Sequence, residues 1–290
     1  MLLPNQVKRV TVDTPRGAFA ALAARPGNGV SERQPALLVP GYTGSKEDFL
    51  AVLESLAAAG RPVFAIDMRG QYHSPAAQSA SGYDLDQLAS DIIAVAATVA
   101  GDSGRVHLLG HSFGGLVARE AAITAPAAFL SLTLLGSGPQ AIAGDGAQVL
   151  RDLLAHLEPA AGDVELMRSM ITQLWQTQVR PQAEAEGTPD DVLSFLADRA
   201  MLTCPLGLSV MARDLLGCPD RTAELAAIGD LPKLVSYGEN DDAWPPDVQD
   251  LMAKRLGAER VCIPGAAHSP AVEAPETTAA MLTAFWNHSE

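Results

Sequence analysis

The chain has 290 residues, 48% hydrophobic and 19% charged, which is long enough to bury a sizeable core and too apolar for a disordered segment. Its 34 acidic and 20 basic side chains give a net charge of -14. That balance repels phosphate backbones and anionic lipid, so neither nucleic acid nor a charged membrane surface is expected as a partner.

Residues 7–12 and 18–23 read as an antiparallel hairpin turned by Thr14-Pro15-Arg16-Gly17. Residues 36–39 read as a buried strand ending at Pro40-Gly41. Ser45, followed three residues later by Asp48, marks a helix start, and Phe49, Val52, Leu53 and Leu56 then share one face until Gly60. The plan repeats with a strand at 62–66, a long loop at 67–82, and a helix carrying Leu85, Leu88, Ile92, Val95 and Val99 at helical spacing. A strand at 106–109 runs directly into the segment 110–115 and a helical stretch at 116–122, and 132–135 is a further strand.

From about 138 to 229 the pattern is helical, as in Val164, Met167, Ile171, Leu174 and Trp175, with no convincing strand. We expect a helical cap over 138–229, inserted into a core built from 1–137 and 230–290. Strands at 233–237 and 260–263 and helices around 248–256 and 275–286 complete the chain. Such alternation argues for a mostly parallel, doubly wound sheet covered on both faces.

No apolar run is long enough to span a bilayer, and residues 1–6 lack the basic region and apolar stretch of a secretion signal. Cys204, Cys218 and Cys262 form no CxxC pair, which suggests neither a disulfide framework nor a zinc site. A cytoplasmic setting is therefore expected. Nothing in the sequence indicates an oligomer.

The strongest chemical signal is Gly110-His111-Ser112-Phe113-Gly114-Gly115. G-x-S-x-G between a strand and a helix is a nucleophile elbow, in which a tight turn thrusts the serine out above the positive end of the helix. The motif alone is weak, but the preceding strand, following helix and third glycine make it specific. A serine hydroxyl attacks only when a base takes its proton. For this motif the partners follow in the order acid, then histidine. Of the six histidines only His268 lies in a loop after the last strand. The loop after 233–237 offers Asp241 and Asp242, of which one is expected to face the histidine. An oxyanion would need backbone donors, expected at Phe113 and at Tyr42, where Gly41 lets the chain turn.

With these residues placed, nearly the whole chain resembles the α/β-hydrolase superfamily. The resemblance implies an α/β-hydrolase fold and favours Asp241 over Asp242, because superfamily members commonly place the acid three residues after a glycine, here Gly238. Gly265-Ala266-Ala267-His268 matches a common Gly-x-x-His, and Asp67-Met68-Arg69-Gly70 begins a common Asp-x-Arg-Gly-x-Gly loop. In that loop Tyr72 replaces the second glycine, so a different path is expected. Asp67 and Arg69 are expected to act structurally, for example as a buried ion pair. Pro40-Gly41 replaces the frequent His-Gly.

The resemblance implies hydrolysis of a carboxylic ester or related acyl bond of a small, largely apolar substrate, with neither cofactor nor metal. Met167, Met170, Leu174, Trp175 and Phe195 of the expected cap, with Trp244 beside the acid loop, are candidate pocket wall; ordinary core packing is the competing reading. Two rival functions use the same residues: a lyase or C–C bond hydrolase, and a ligand-binding member without catalysis.

Overall fold

Thr14 and Gly17 pair across Pro15-Arg16, so β1 (Val7–Thr14) and β2 (Gly17–Ala24) form the expected antiparallel hairpin. In the computed structural model, which describes residues 3–28, 32–101 and 104–290, this hairpin is one edge of an eight-stranded sheet. Met1 and Leu2, the first residues read for a secretion signal, lie outside the described residues. The strand order is β1-β2-β4-β3-β5-β6-β7-β8, with β3 (Ala36–Val39), β4 (Val63–Ile66), β5 (Val106–His111), β6 (Phe129–Leu135), β7 (Lys233–Gly238) and β8 (Glu259–Ile263) mutually parallel.

The central strands are apolar without alternation because both faces are covered. In β3, Leu37 and Val39 join the core beneath α2 (Leu85–Val99) and α3 (Phe113–Thr124), while Ala36 and Leu38 join the opposite core. That second layer belongs to α1 (Leu50–Ala58) and to the C-terminal helix, whose Leu282, Phe285 and Trp286 are buried. The helix start read at Ser45 is a 3₁₀ turn, Lys46–Phe49, that runs into α1; the Asp48 carboxylate accepts the Ser45 N–H at 3.1 Å, as a capping acid does.

Between β6 and β7 the chain is helical throughout: α4 (Gly144–Leu157), α5 (Val164–Leu174), a π-helical turn Trp175–Val179, α6 (Arg180–Ala185), α7 (Asp190–Leu202), α8 (Pro205–Gly217) and α9 (Thr222–Ala226). After β7 come α10 (Pro246–Leu256), then α11 (Pro270–Glu273) and α12 (Pro275–His288) beyond β8. Among the described residues no single helix is long and apolar enough to cross a membrane.

The loop after β4 departs from the expectation in one respect. Asp67 and Arg69 do not pair with each other. Fully buried Asp67 binds Lys46 Nζ at 2.7 Å, whereas Arg69 reaches outward to Asp91 at 2.6 Å. Asp91 also takes Arg16 at 2.6 Å, so Asp67 and Arg69 serve separate ion pairs. Tyr72, at φ 39°, adopts the left-handed conformation that favours glycine, and its ring lies over Lys46 Nζ at 4.7 Å and against His73. Those contacts offset the cost of a left-handed conformation for a bulky residue.

Candidate active site

Ser112 sits between the end of β5 and the start of α3 with φ 54° and ψ -122°, a strained conformation for any residue with a side chain. The turn closes only because its neighbours are small. A Cβ on Gly110 would overlap the Gly114 carbonyl, and one on Gly114 would overlap the carbonyl of Pro40 at the end of β3. The Ser112 N–H is held by the Leu135 carbonyl at 2.9 Å, which fixes the elbow to β6.

His268 follows β8. Its Nε2 lies 2.9 Å from Ser112 Oγ, and its Nδ1 lies 2.9 Å from Asp241 Oδ1. A hydroxyl, an imidazole and a carboxylate from three strand ends are thus joined in one hydrogen-bonded chain. The His268 loop is held from two sides. Neutral His111 donates from Nε2 to the His268 carbonyl at 2.7 Å; burial pushes its pKa down to about 4, with the nearby His268 adding to the effect. Glu273 accepts the backbone N–H groups of Ala267 and Ser269 on either side of the ring.

Asp241 has no side-chain surface exposed. Burial alone would raise its pKa, but the hydrogen bond and positive charge of His268, with the Gln249 amide, outweigh it and hold the carboxyl below the usual aspartate range. Oδ2 takes Gln249 Nε2 at 2.9 Å and Oδ1 takes the Ala243 N–H at 3.0 Å. The second oxygen is therefore already satisfied, and the first is aimed at the ring. Asp242 is exposed, and the bond to His268 is made by Asp241.

Gly41 backs onto the serine: a Cβ there would lie 3.1 Å from Ser112 Cβ. Gly41 and Tyr42 line the cavity over Ser112, and Phe113 opens α3, in whose first turn the N–H groups have no partner within the helix. The Tyr42 hydroxyl donates to the Leu208 carbonyl of α8 at 3.0 Å, and burial raises the phenol pKa strongly.

A cavity of about 680 Å³ opens over Ser112 and His268, walled by Ile142 and Leu150 on one side and Phe195, Leu196 and Arg199 on the other. Phe195 is thus the one expected pocket residue that lines it. Leu174 and Trp175 line a separate, smaller cavity. Met167 is buried among Leu157, Ala160, Ile171 and Leu208, with Met170 packed on that cluster, and neither lines either cavity. Trp244 is buried against Gly138, its ring centroid 6.4 Å from that of His268, and its Nε1 donates to the Gln140 carbonyl at 3.1 Å. It covers the histidine rather than the cavity. Among the described residues no group of three or more histidine, cysteine, aspartate or glutamate side chains is placed to hold a metal ion.

Sequence reasoning missed Gln71, Glu273 and Arg199. Gln71 is completely buried and donates to the Gly41 and Tyr42 carbonyls at 2.8 and 3.0 Å. It occupies the variable position after Gly70, which carries no signal of that role.

A strained serine elbow at the carboxyl ends of a mostly parallel sheet, facing a histidine from the last loop, defines the class of fold, and the chain belongs to the alpha/beta hydrolase family, which it matches over residues 36–281. It is 28% identical over 251 residues to the dihydrolipoyllysine-residue acetyltransferase component of the acetoin cleaving system of Pseudomonas putida, covering 87% of this chain and 63% of that protein. It is 30% identical over 233 residues to the pimeloyl-[acyl-carrier protein] methyl ester esterase of Aeromonas salmonicida, covering 78% of this chain and 84% of that protein. Among solved structures, a thermophilic esterase from Thermogutta terrifontis superposes with a TM-score of 0.71 at 21% identity, covering 97% of this chain and 99% of that one, a likeness of fold.

Proposed function

We propose that this chain hydrolyses a carboxylic ester, or a related acyl bond, of a small and largely apolar molecule through an acyl-enzyme on Ser112. The observation that carries the reading is the unbroken hydrogen-bond chain from Ser112 Oγ through His268 to Asp241, at 2.9 Å in both links. As Oγ attacks the carbonyl carbon, its proton passes to His268 Nε2, and Asp241 stabilises the imidazolium that forms. The backbone N–H groups of Tyr42 and Phe113 stabilise the negative charge on the former carbonyl oxygen. His268 returns the proton to the departing alcohol. Water, losing its proton to the same imidazole, then releases the acid.

The esterase named among the relatives supports this choice of bond, and the cavity over Ser112 gives the substrate a place. The segment between β6 and β7, residues 138–229, acts as a cap, since Ile142 of its first loop, Leu150 of α4 and Phe195 of α7 line the cavity. The three free cysteines are in keeping with a cytoplasmic setting.

Turnover of short-chain nitrophenyl esters tests the proposal. The wild-type protein should release nitrophenol, and Ser112→Ala should lower kcat/KM by roughly three powers of ten with the fold retained. A wild-type protein silent on every ester, or a Ser112→Ala variant as active as wild type, would exclude it; silence on esters with Ser112-dependent cleavage of a C–C bond would transfer the same residues to the lyase or C–C hydrolase class.

A further inference from the structure

A second cavity, of about 290 Å³, lies among the helices between β6 and β7. Its walls are mostly hydrocarbon, from Leu153, Ile171, Leu174, Trp175, Val179 and Leu208. It shares Tyr42, Thr43, Leu196 and Arg199 with the cavity over Ser112, so the two spaces adjoin along these four residues. We propose that the second cavity is a chain pocket, holding an unbranched aliphatic chain of the substrate whose ester carbonyl lies at Ser112. The proposal rests on the hydrolase reading for the reacting end and adds the chemistry of the far end.

Three observations support an aliphatic occupant. First, two hydroxyls at its edge are already engaged: the Tyr42 hydroxyl with the Leu208 carbonyl at 3.0 Å, and the Thr203 hydroxyl with the Arg199 carbonyl at 2.8 Å and the Tyr72 N–H at 3.2 Å. A sugar or other group rich in hydroxyls entering there would lose its water for few partners, while a chain of methylenes gains by leaving water.

Second, Arg199 is unsuited to receive an anion. Asp48 takes its Nη1 at 2.7 Å, and the guanidinium lies 5.2 Å from the centre of the Phe195 ring. The Asp48 carboxylate matches its charge, so Arg199 adds no uncompensated positive charge to the shared wall. Third, the wall includes the π-helical turn Trp175–Val179, which contributes Trp175 and Val179. Such turns are uncommon and recur at functional sites because the wider winding re-aims side chains. The shared lining fits as well: Tyr42 borders both spaces, so a chain whose carbonyl lies at Ser112 has its far end beside the second cavity.

Two substrate series test the pocket. One varies the acyl chain of nitrophenyl esters from acetyl through butyryl and octanoyl to lauroyl, and the other varies the alcohol of acetate esters from ethyl to octyl. Wild type should prefer the octyl-sized member over the shortest by about tenfold or more in one series, and the series that responds identifies which side of the ester holds the chain. Ala200→Trp, at the wall of the second cavity, should erase that ratio, and Leu174→Ala should move the preference to longer chains. A thermal melt checks that both variants fold. A flat profile in both series, or a profile unchanged by Ala200→Trp, overturns the pocket. Calorimetric titration of octan-1-ol into Ser112→Ala, with and without Ala200→Trp, reads the cavity without any turnover. Binding lost on filling supports the pocket even where no ester is cleaved, and no binding overturns it even where esters are.

Discussion

Gln71 Nε2 donates to the Gly41 carbonyl oxygen at 2.8 Å, and through that bond it aims the N–H of Tyr42. The two groups belong to one peptide, and a trans peptide holds its C=O and N–H in opposite directions. A second bond to the Tyr42 carbonyl at 3.0 Å, and one from the Met68 N–H to Gln71 Oε1 at 3.1 Å, leave the amide no freedom to turn. Gln71 is a positioning residue for the proposed oxyanion donor.

Replacing Gln71 with Ala should therefore lower kcat by about tenfold or more, with little change in KM, because the donor acts on the transition state. Stability should also fall by about 1–3 kcal/mol, since a buried carbonyl and a part-buried one lose a partner. Steady-state kinetics and a denaturant melt read both effects. An equal rise in KM with kcat unchanged would place Gln71 in substrate binding instead.

The two adjacent aspartates should separate cleanly. Asp241→Asn should lower kcat by about three to four powers of ten, because the amide holds the ring without stabilising its charge. Asp242→Asn, at an exposed position, should leave kcat within about twofold of wild type. The reverse ranking in an ester assay would reassign the acid.

The strand–helix rhythm and the positions of Ser112, Asp241 and His268 were legible because each sits at a strand end, where local pattern and chain order coincide. Asp241 could be preferred to Asp242 only through the resemblance, since adjacent acids in a loop look alike. Gln71 was not legible: a side chain that reaches back thirty positions to main-chain carbonyls leaves no periodicity. Arg199 reads as a solvated helix charge until Asp48, from a distant turn, is brought beside it. The helices between β6 and β7 were legible as helices, but which of their faces meets a cavity depends on packing. Met167 and Leu174 have the same spacing signal; one is core and the other lines a cavity.

The elbow stores strain that a variant can release. Ser112→Gly should be more stable than Ser112→Ala by about 1 kcal/mol: glycine removes roughly 1–3 kcal/mol of backbone strain and returns about 0.5–1 as added freedom of the unfolded chain. Both variants lack the hydroxyl, so the comparison isolates the backbone. Equal melting temperatures would show that the strain at position 112 is no larger than the roughly 0.5–1 kcal/mol that glycine returns.

Asp214 on α8 has a buried Oδ2 without a hydrogen-bond partner among the described residues. Burial, reinforced by Asp84 and Asp86, pushes its pKa up to about 6. The folded state thus binds this proton more tightly than the unfolded chain does, so the group costs stability as pH rises from about 4 through 6. Asp214→Asn should leave stability unchanged near pH 4 and raise it by about 1 kcal/mol near pH 8, a value reduced for the partial exposure of the group. A gain of equal size at both pH values would assign the effect to packing.

The account depends on Ser112 being activated through His268. Reaction with a fluorophosphonate, followed by peptide mass mapping, tests this most directly, because the reagent reads activation without requiring the natural substrate. Stoichiometric labelling of Ser112, abolished in Ser112→Ala and slowed by about a hundredfold or more in His268→Ala, is the predicted result. Labelling that proceeds at the wild-type rate without His268, or that falls on another residue, would contradict it.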